Sequence, residues 1–409
     1  MTRISTNQLY DRSIDAITRN QGSLSDVQQQ LSSGKKLLRP SDDPVGAAQV
    51  VRLTEDLDKI TQYKRNNTLL QNSLEQEEVV LKNINNALDR ARVLMIQSGN
   101  GVYDKTDLQA IGIEIGSIRD EIFGLMNSQN SNGEYIFAGY QSQTEAFSYD
   151  PSSTDKKYTF AGDDGFKKIQ VSDAVTIQSN SSGKTVFEDV QARLNINVTA
   201  RVGVSSLSSR ITEQAAFDQF HKQNYDAVTP ANNQFRATVL AGNQIRIDNI
   251  GTGATISTQN FESGKPFVFK GISFDVNAAP GDTFDFELNK PEKKNIAETL
   301  NDFFIALNDA SLSDTDFSKA IADGLVGLDN GAKKLANATS SLGGRLNVAQ
   351  SVLESNLDLE IANKSARSVI EDVDYAEAVS ELSKQETALQ AAQATFSRVT
   401  GLTLFDYIR

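Results

Sequence analysis

The residue types that carry out most protein chemistry are scarce in this sequence. It contains no cysteine and a single histidine, His221. Without cysteine there can be no disulfide, thiolate zinc site, iron–sulfur cluster or cysteine nucleophile. One histidine per chain excludes a zinc site with two histidine ligands and the HExxH motif of zinc proteases. Because aromatic residues surround His221 in the sequence, we interpret it as a packing or surface residue rather than a ligand.

Acidic residues are plentiful, but their spacing specifies no reaction. The pairs Glu77-Glu78, Asp163-Asp164 and Glu371-Asp372 fall in predicted helices and turns, and adjacent carboxylates alone do not define a hydrolase. Asp314 and Asp316 lack the glycine and glutamate that complete a calcium loop, so we expect them to cap a helix. No glycine-rich phosphate loop occurs. The sequence therefore predicts a protein that is not an enzyme, with no catalytic, cofactor-binding or metal site.

The length, the net charge and the lack of long apolar stretches exclude further classes of protein. The chain has 409 residues, a length typical of two to three domains, and its 40 basic and 53 acidic side chains give a formal net charge of −13. That charge does not favour nucleic acid or an anionic membrane as a partner. No stretch approaches the roughly 18 apolar residues of a membrane span, and the N-terminus lacks the apolar run of a cleaved signal peptide.

The elements that organise this chain are long helices near its two ends. The pattern predicts one helix over residues 41–98, with Asp43 as a cap and Gly99 as a stop. Asn67 and Glu77 alone interrupt its apolar stripe. The remaining stripe residues are Ile60, Tyr63, Leu70, Leu74, Leu81, Ile84, Leu88, Ala91 and Met95. Such a helix would be roughly 80 Å long and needs long partners to bury its stripe.

Four other segments offer such partners. Residues 108–125 and 321–353 carry apolar stripes of helical spacing, and the N-terminal arm repeats apolar residues at the heptad spacing of coiled coils. The candidate interface residues of that arm are Ile14, Ile17, Leu24 and Leu31. Those of the last helix are Val379, Leu382, Leu389, Phe396 and Val399. They are followed by the apolar residues Leu402, Leu404, Phe405, Tyr407 and Ile408. We predict all fourteen to form an assembly interface.

The middle of the chain has a different pattern. Between about 134 and 292, short alternating runs such as 235–239 are separated by turn residues, which is typical of an antiparallel β domain. One helix is expected inside it, over 206–223. The predicted fold class is therefore α+β, with long coiled-coil-like helices from both termini forming a rod and an inserted antiparallel β domain.

Five segments follow from these patterns. They are an N-terminal assembly arm at 1–40, rod helices at 41–133, an outer β domain at 134–292, further rod helices at 293–370 and a C-terminal assembly helix at 371–409. The arm carries a net charge of +3 and the last segment −4, so the two are expected to pair. The arm alone is too rich in Gln, Ser and Asn to bury much surface, so we predict that it is disordered in the monomer.

Several motifs resemble one known family. The segment LSSGKKLLRPSDDPVGAA at 31–48 is similar to the N-terminal signature of the flagellin superfamily, and 363–382 resembles its C-terminal link between helices. The bridge NGEYIFAGYQSQTEAF at 132–147 and the final segment at 387–409 resemble the hook–filament junction proteins of that superfamily. Filament flagellins typically end instead in an Asn-Gln-Val-Pro segment, which is absent here.

This resemblance implies a structural subunit of the bacterial flagellum at the junction between a hook-associated protein and the filament. It implies a ring of identical subunits whose terminal helices lie innermost and whose β domain faces outward. The implied partners are other copies of the chain, the first hook-associated protein, the flagellin filament and a dedicated export chaperone. It also implies unfolded export to an extracellular site without a cleaved signal peptide.

Two alternatives remain from the sequence. One is a filament flagellin. The other is an extracellular adhesin or enzyme that uses the β domain, with Phe235, Phe261, Phe267 and Phe269 lining a site. The same four phenylalanines are also typical of alternate core positions in a β sandwich, and we favour that interpretation.

Overall fold

The computed structural model describes residues 6–101, 103–154 and 156–402. They fall into two compact units. Of the described residues, the first comprises 6–69, 170–176 and 348–402, and the second comprises those between 70 and 169 and between 177 and 347. Two of the boundaries between the units lie within long helices, and the other two lie within a pair of short strands.

The described residues form seven α-helices, six in the N- and C-terminal parts of the chain and one inside the β domain. They are α1 (Thr6–Ser33), α2 (Pro44–Ser98), α3 (Lys105–Met126), α4 (Gln214–Asn224), α5 (Ile296–Asn308), α6 (Asp314–Glu371) and α7 (Tyr375–Leu402). The predicted long helix is confirmed as α2. Oδ1 of Asp43 accepts the N–H groups of Val45 and Gly46, so Asp43 is its N-terminal cap, and the helix ends immediately before Gly99.

The cap of α6 differs from the prediction. Asp314 and Asp316 lie inside its first turn, and Ser313 precedes the helix. The Ser313 hydroxyl accepts the backbone N–H of Asp316 at 3.1 Å and donates to the Asp316 carboxylate at 2.7 Å. Ser313 is therefore the cap, because a serine directly before the helix can reach the third helical N–H.

The first unit is built around α2 and α6. The buried amide Nδ2 of Asn67 on α2 donates to the carbonyl of Ala349 on α6 at 2.7 Å. The tip of a β hairpin, residues 170–176, lies against the same helices. There Asn66 donates to the carbonyl of Gln170 and Asn356 donates to the carbonyl of Val171, each at 2.8 Å. Polar side chains thus fix this part of α2 to α6.

In the second unit, α2 and α6 bury the predicted stripes. Leu70, Leu74 and Leu81 of α2 and Leu342 of α6 have essentially no exposed surface. Glycines bring α5 close to α6: a β-carbon placed on Gly327 would lie 2.6 Å from the side chain of Thr299. Such small residues allow helix axes to approach closely, so a larger side chain there would push α5 away.

Within the described ranges, twelve strands form the inserted β domain and its connections. They are β1 (Phe147–Tyr149), β2 (Tyr158–Phe160), β3 (Lys168–Gln170), β4 (Thr176–Gln178), β5 (Ile196–Val202), β6 (Ser206–Ile211), β7 (Gln234–Leu240), β8 (Gln244–Asn249), β9 (Thr255–Asn260), β10 (Phe267–Phe269), β11 (Ile272–Asn277) and β12 (Thr283–Leu288). A five-stranded antiparallel sheet has the order β5-β12-β7-β8-β9, and a three-stranded one has the order β10-β11-β6. The pairs β1-β2 and β3-β4 complete the set. Long terminal helices with an inserted antiparallel β domain confirm the predicted fold class.

The core of the β domain is largely aromatic. Phe235, Phe274, Phe284 and Phe286 are fully buried, and the rings of Phe235 and Phe286 stack at 5.3 Å. Helix α4 closes this core with Phe217 and Phe220. An alternation of buried and exposed residues along β7 and β8 directs their apolar side chains into this cluster.

The predicted helix over 206–223 is wrong in its first half. Residues Ser206–Ile211 form β6, which pairs antiparallel with β11, and α4 begins only at Gln214. The alternating Ser-Leu-Ser-Ser-Arg-Ile segment buries Leu207 on one face, a period-two pattern that suits a strand. Edge pairing with β11 outweighs the weak helical preference of these serines.

Candidate assembly interface

Helices α1 and α7 lie side by side in the first unit, as the opposite charges and matching stripes of the chain ends predict. The rings of Tyr10 on α1 and Phe396 on α7 meet edge to face with their centres 6.0 Å apart. Tyr10 precedes Ile17 by seven residues and thus extends the heptad repeat of α1 by one step. The sequence analysis missed Tyr10, although its heptad spacing was a readable signal.

The seam between α1 and α7 is only partly apolar. Ile17, Leu24 and Leu31 on α1 and Leu382, Leu389 and Phe396 on α7 are half-buried. Beside this apolar row runs a second row, in which the buried Val27 of α1 and Ala378 of α7 alternate with the half-buried Ser13, Asn20, Gln385 and Ala392. Short and polar residues at coiled-coil core positions lower stability. The pair therefore buries less apolar surface than its length would allow.

Two of the predicted interface residues lie outside this seam. Ile14 is 50% exposed and Val379 is 52% exposed. The structure does not bring these two side chains into the contact between α1 and α7. Val399 and Leu402 lie within α7, whereas Leu404, Phe405, Tyr407 and Ile408 lie outside the described residues.

The two connections that lead into the arms are bound to each other. The backbone N–H of Lys36 donates to the carbonyl of Glu371 at 2.7 Å, and that of Val373 donates to the carbonyl of Gly34 at 3.0 Å. An ion pair joins the side chains of Lys35 and Glu371. We name residues 34–36 and 371–373 the linker clasp. It is made largely by backbone groups, so side-chain patterns in the sequence carry no signal for it.

A second group of apolar residues in the first unit is exposed and was missed by the sequence analysis. It includes Val45 and Val51 on α2 and Leu359, Ile361 and Val369 on α6, of which Val369 is 82% exposed. Leu359 and Ile361 are two positions apart and therefore lie on different sides of α6, so these exposed residues are scattered rather than one continuous patch. The sequence analysis followed the buried stripe of each long helix and did not examine its other face.

The remaining candidates for chemistry are structural. His221 is buried, with its ring stacked on Tyr225 and Nε2 2.8 Å from the carbonyl of Asn289, and burial lowers its pKa. The four phenylalanines considered as a binding site, Phe235, Phe261, Phe267 and Phe269, lie in the β-domain core. Within the described ranges there is no group of three or more His, Cys, Asp or Glu side chains suited to a metal ion. Among the same residues, no helix is long and apolar enough to cross a membrane.

Comparison with known proteins places both ends of the chain in one family. Residues 4–142 match the N-terminal helical region of bacterial flagellin and residues 325–408 match its C-terminal helical region, together just over half of the chain. Flagellar hook-associated protein 3 of Salmonella typhimurium is 31% identical over 188 residues, which are 46% of this chain and 57% of that protein. Phase 1 flagellin of Salmonella naestved is 26% identical over 369 residues, which are 86% of this chain and 70% of that flagellin.

Solved structures show the same fold. Flagellar hook-associated protein 3 from Legionella pneumophila superposes with a TM-score of 0.59 at 22% identity, covering 78% of this chain and 99% of that one. FlgL from Xanthomonas campestris gives a TM-score of 0.57 at 20% identity, with 77% and 99% covered. The sequence match to hook-associated protein 3 of Salmonella typhimurium thus covers just over half the length of that protein. The structural superpositions cover nearly the whole of each solved chain. With both helical regions of flagellin in place at its two ends, this chain belongs to the flagellin superfamily.

Proposed function

We propose that this chain is a structural subunit of the bacterial flagellum, without catalytic activity, at the junction between hook-associated protein and filament. The observation that carries the proposal is its similarity to flagellar hook-associated protein 3 over 188 residues. The paired helices α1 and α7 join the two ends of the chain, where the family matches lie. The proposed location is the extracellular flagellum.

The surface of the first unit supports assembly with other copies of the chain. The α1–α7 seam has polar and small residues in its core, and apolar side chains such as Ile14, Val379 and Val369 remain exposed. Contacts between identical subunits can bury such surfaces and repeat around a ring. The proposed partners are therefore further copies of this chain, the first hook-associated protein, the flagellin filament and, before export, a chaperone that covers the C-terminal segment.

A filament flagellin is the second candidate. The 369-residue similarity to phase 1 flagellin favours it. The bridge at 132–147 and the C-terminal segment at 387–409 favour the junction role instead. An adhesin or enzyme is disfavoured, because the phenylalanines that would line its site are buried in the core.

Deleting the gene for this chain from its source bacterium distinguishes the two flagellar roles. For a junction subunit, we expect hooks without filaments and abundant unpolymerised flagellin in the medium, since export continues while attachment fails. Electron microscopy of the cells and immunoblots of the medium measure this. Hooks without filaments and without secreted flagellin would indicate the filament role instead, and normal filaments would contradict both. Complementation with the intact gene is the control.

The five predicted segments lead to a second experiment. We propose that residues 1–40 and 371–409 are assembly segments that become stably ordered through contacts with neighbouring copies. Limited proteolysis of the free subunit should remove about 40 residues from each end early and leave a resistant centre, since frayed helices are cut first. The assembled form should resist cleavage at the same sites. Equal resistance of the ends and the centre in the free subunit would contradict the proposal.

A further inference from the structure

The β domain has a hydrophobic core of its own. The buried apolar residues of this core all lie between Leu194 and Leu288, so among the described residues α2, α3, α5 and α6 contribute none of them. Two parts of a chain with separate cores can move relative to each other without exposing either core. The orientation of the β domain on the helices of the second unit therefore depends on the residues that connect them.

Two stretches of chain make this connection: residues 190–195 lead into the β domain and residues 289–294 lead out of it. They run antiparallel and are bonded to each other near both ends. On the side of the helices, the backbone N–H of Ala192 donates to the carbonyl of Glu292 at 2.9 Å. On the side of the domain, the backbone N–H of Asn289 donates to the carbonyl of Asn195 at 3.0 Å.

The pairing of the two connecting stretches is interrupted in the middle. Residues 193–194 and 290–291 share no backbone hydrogen bond in the described chain, and Pro291 lacks the N–H that such a bond requires. Backbone without ladder hydrogen bonds bends at a lower cost in free energy than paired strands do. We name residues 193–194 and 290–291 the hinge.

Helix α6 holds the incoming stretch at two places. Nδ2 of Asn330 donates to the carbonyl of Gln191 at 2.8 Å, on the helical side of the hinge. Asp323 precedes Asn330 by seven positions, about two helical turns, and so lies on the same face of α6. Its Oδ1 accepts Nη1 of Arg193 and Nδ2 of Asn195, each at 3.1 Å. Asp323 therefore holds the chain in the hinge and directly beyond it.

Arg193 is also bound firmly to the β domain. Its side chain is 6% exposed, and Nε donates to Oε1 of Gln214 on α4 at 2.6 Å. Nη2 donates to the carbonyl of Ile211 on β6 at 3.4 Å. Because the guanidinium group is planar and rigid, these bonds fix the direction in which Nη1 points from the domain. Within the described ranges, Asp323 is the one side chain of α2, α3, α5 or α6 with a hydrogen bond to residues 193–288.

We propose that Asp323 is a latch that fixes the orientation of the β domain on α6, and that the domain turns about the hinge when the latch opens. The Asp323 side chain is 39% exposed, so water can replace its two donors without unfolding of the domain. Asn330 cannot substitute for it, because its bond to Gln191 lies on the helical side of the hinge. This role lies outside the proposed flagellar function and does not depend on it.

Distance measurements between two spin labels test the latch in the full chain. The chain contains no cysteine, so Ala336→Cys on α6 and Thr258→Cys on β9 provide two labelling sites, both exposed. Double electron–electron resonance of this labelled chain should give one narrow distribution of distances. With Asp323→Ala added, the distribution should become about twice as wide, because the domain then adopts several angles. An unchanged width would overturn the proposal.

Asp329→Ala is the matched control in the same labelled chain. Asp329 is also an aspartate of α6 paired with an arginine, but its partner Arg92, at 2.9 Å, lies on α2. Loss of this pair leaves the hinge untouched, so the width should equal that of the labelled chain. Broadening equal to that of Asp323→Ala would show that any ion pair of α6 has this effect, which would overturn the latch.

Hydrogen exchange separates turning of the β domain from its unfolding. The latch acts on orientation alone, so the amide protection of β7 and β8 should be the same with and without Asp323→Ala. If the variant lowered this protection by more than about tenfold, Asp323 would hold the fold of the domain rather than its angle, and the proposal would be overturned.

Discussion

Replacement of Phe396 by aspartate is expected to abolish assembly of the chain while leaving the β domain folded. Phe396 is half-buried in the α1–α7 seam and meets the ring of Tyr10 edge to face. A ring pair of this kind contributes about 0.5–1.5 kcal/mol beyond its buried area. A carboxylate in its place must also be desolvated against apolar neighbours. Because every subunit of a ring would carry the defect, its effect is multiplied around the ring.

Two control variants make the result specific. Phe396→Tyr keeps a ring at the seam and should still assemble, whereas Gln393→Asp adds the same charge on an exposed face of α7 and should assemble normally. Sedimentation and electron microscopy of the purified chain measure assembly, and motility of a complemented deletion strain measures it in cells. Circular dichroism monitors the β domain. Normal assembly of Phe396→Asp would show that the α1–α7 seam is not needed.

Truncation of Phe286 to alanine is expected to destabilise the β domain by about 3–5 kcal/mol, the usual range for a fully buried phenylalanine. Its ring stacks on Phe235 at 5.3 Å and lies 5.2 Å from Phe274 and 6.2 Å from Phe269. The alanine variant loses these contacts and leaves a cavity that the surrounding sheets cannot close.

Urea denaturation of the full chain, followed by fluorescence of a probe in the β domain, measures the loss. Val268→Ala is the matched control, because Val268 lies on β10 of the three-stranded sheet and is 51% exposed. We expect it to change stability by less than about 0.5 kcal/mol. If the two variants were equally stable, Phe286 would not be central to this core.

The sequence predicted the long helices well because their signal is repeated over many turns. The stripe of α2 needs only burial against long partners, and all of its residues except Tyr63 are buried. Asn67 and Glu77, the two polar residues that interrupt the stripe, are also buried. Asn67 donates a hydrogen bond to α6, whereas the Glu77 carboxyl oxygens have no hydrogen-bond partner among the described residues. Periodicity placed these two side chains in the sequence but did not assign the partner of Asn67, the carbonyl of Ala349, which lies 282 positions away.

The sequence predicted that the middle of the chain is an antiparallel β domain, but it did not predict the order of the strands in the sheets. Alternation identified strands such as β7 and β8, whereas the order β5-β12-β7-β8-β9 joins strands distant in sequence. The error at Ser206–Ile211 has the same origin, since β6 is defined by its pairing with β11. For the assembly interface, heptads identified the seam, but exposed residues such as Val369 are recognisable only once the buried face of α6 is known.

The linker clasp has a mechanical consequence. Two backbone hydrogen bonds and an ion pair tie the connection after α1 to the connection before α7. Neither connection can bend alone without breaking these bonds, each of which contributes about 1 kcal/mol. We therefore expect the two connections to act as one anchor point, so that a pull applied to one end of the chain is shared with the other.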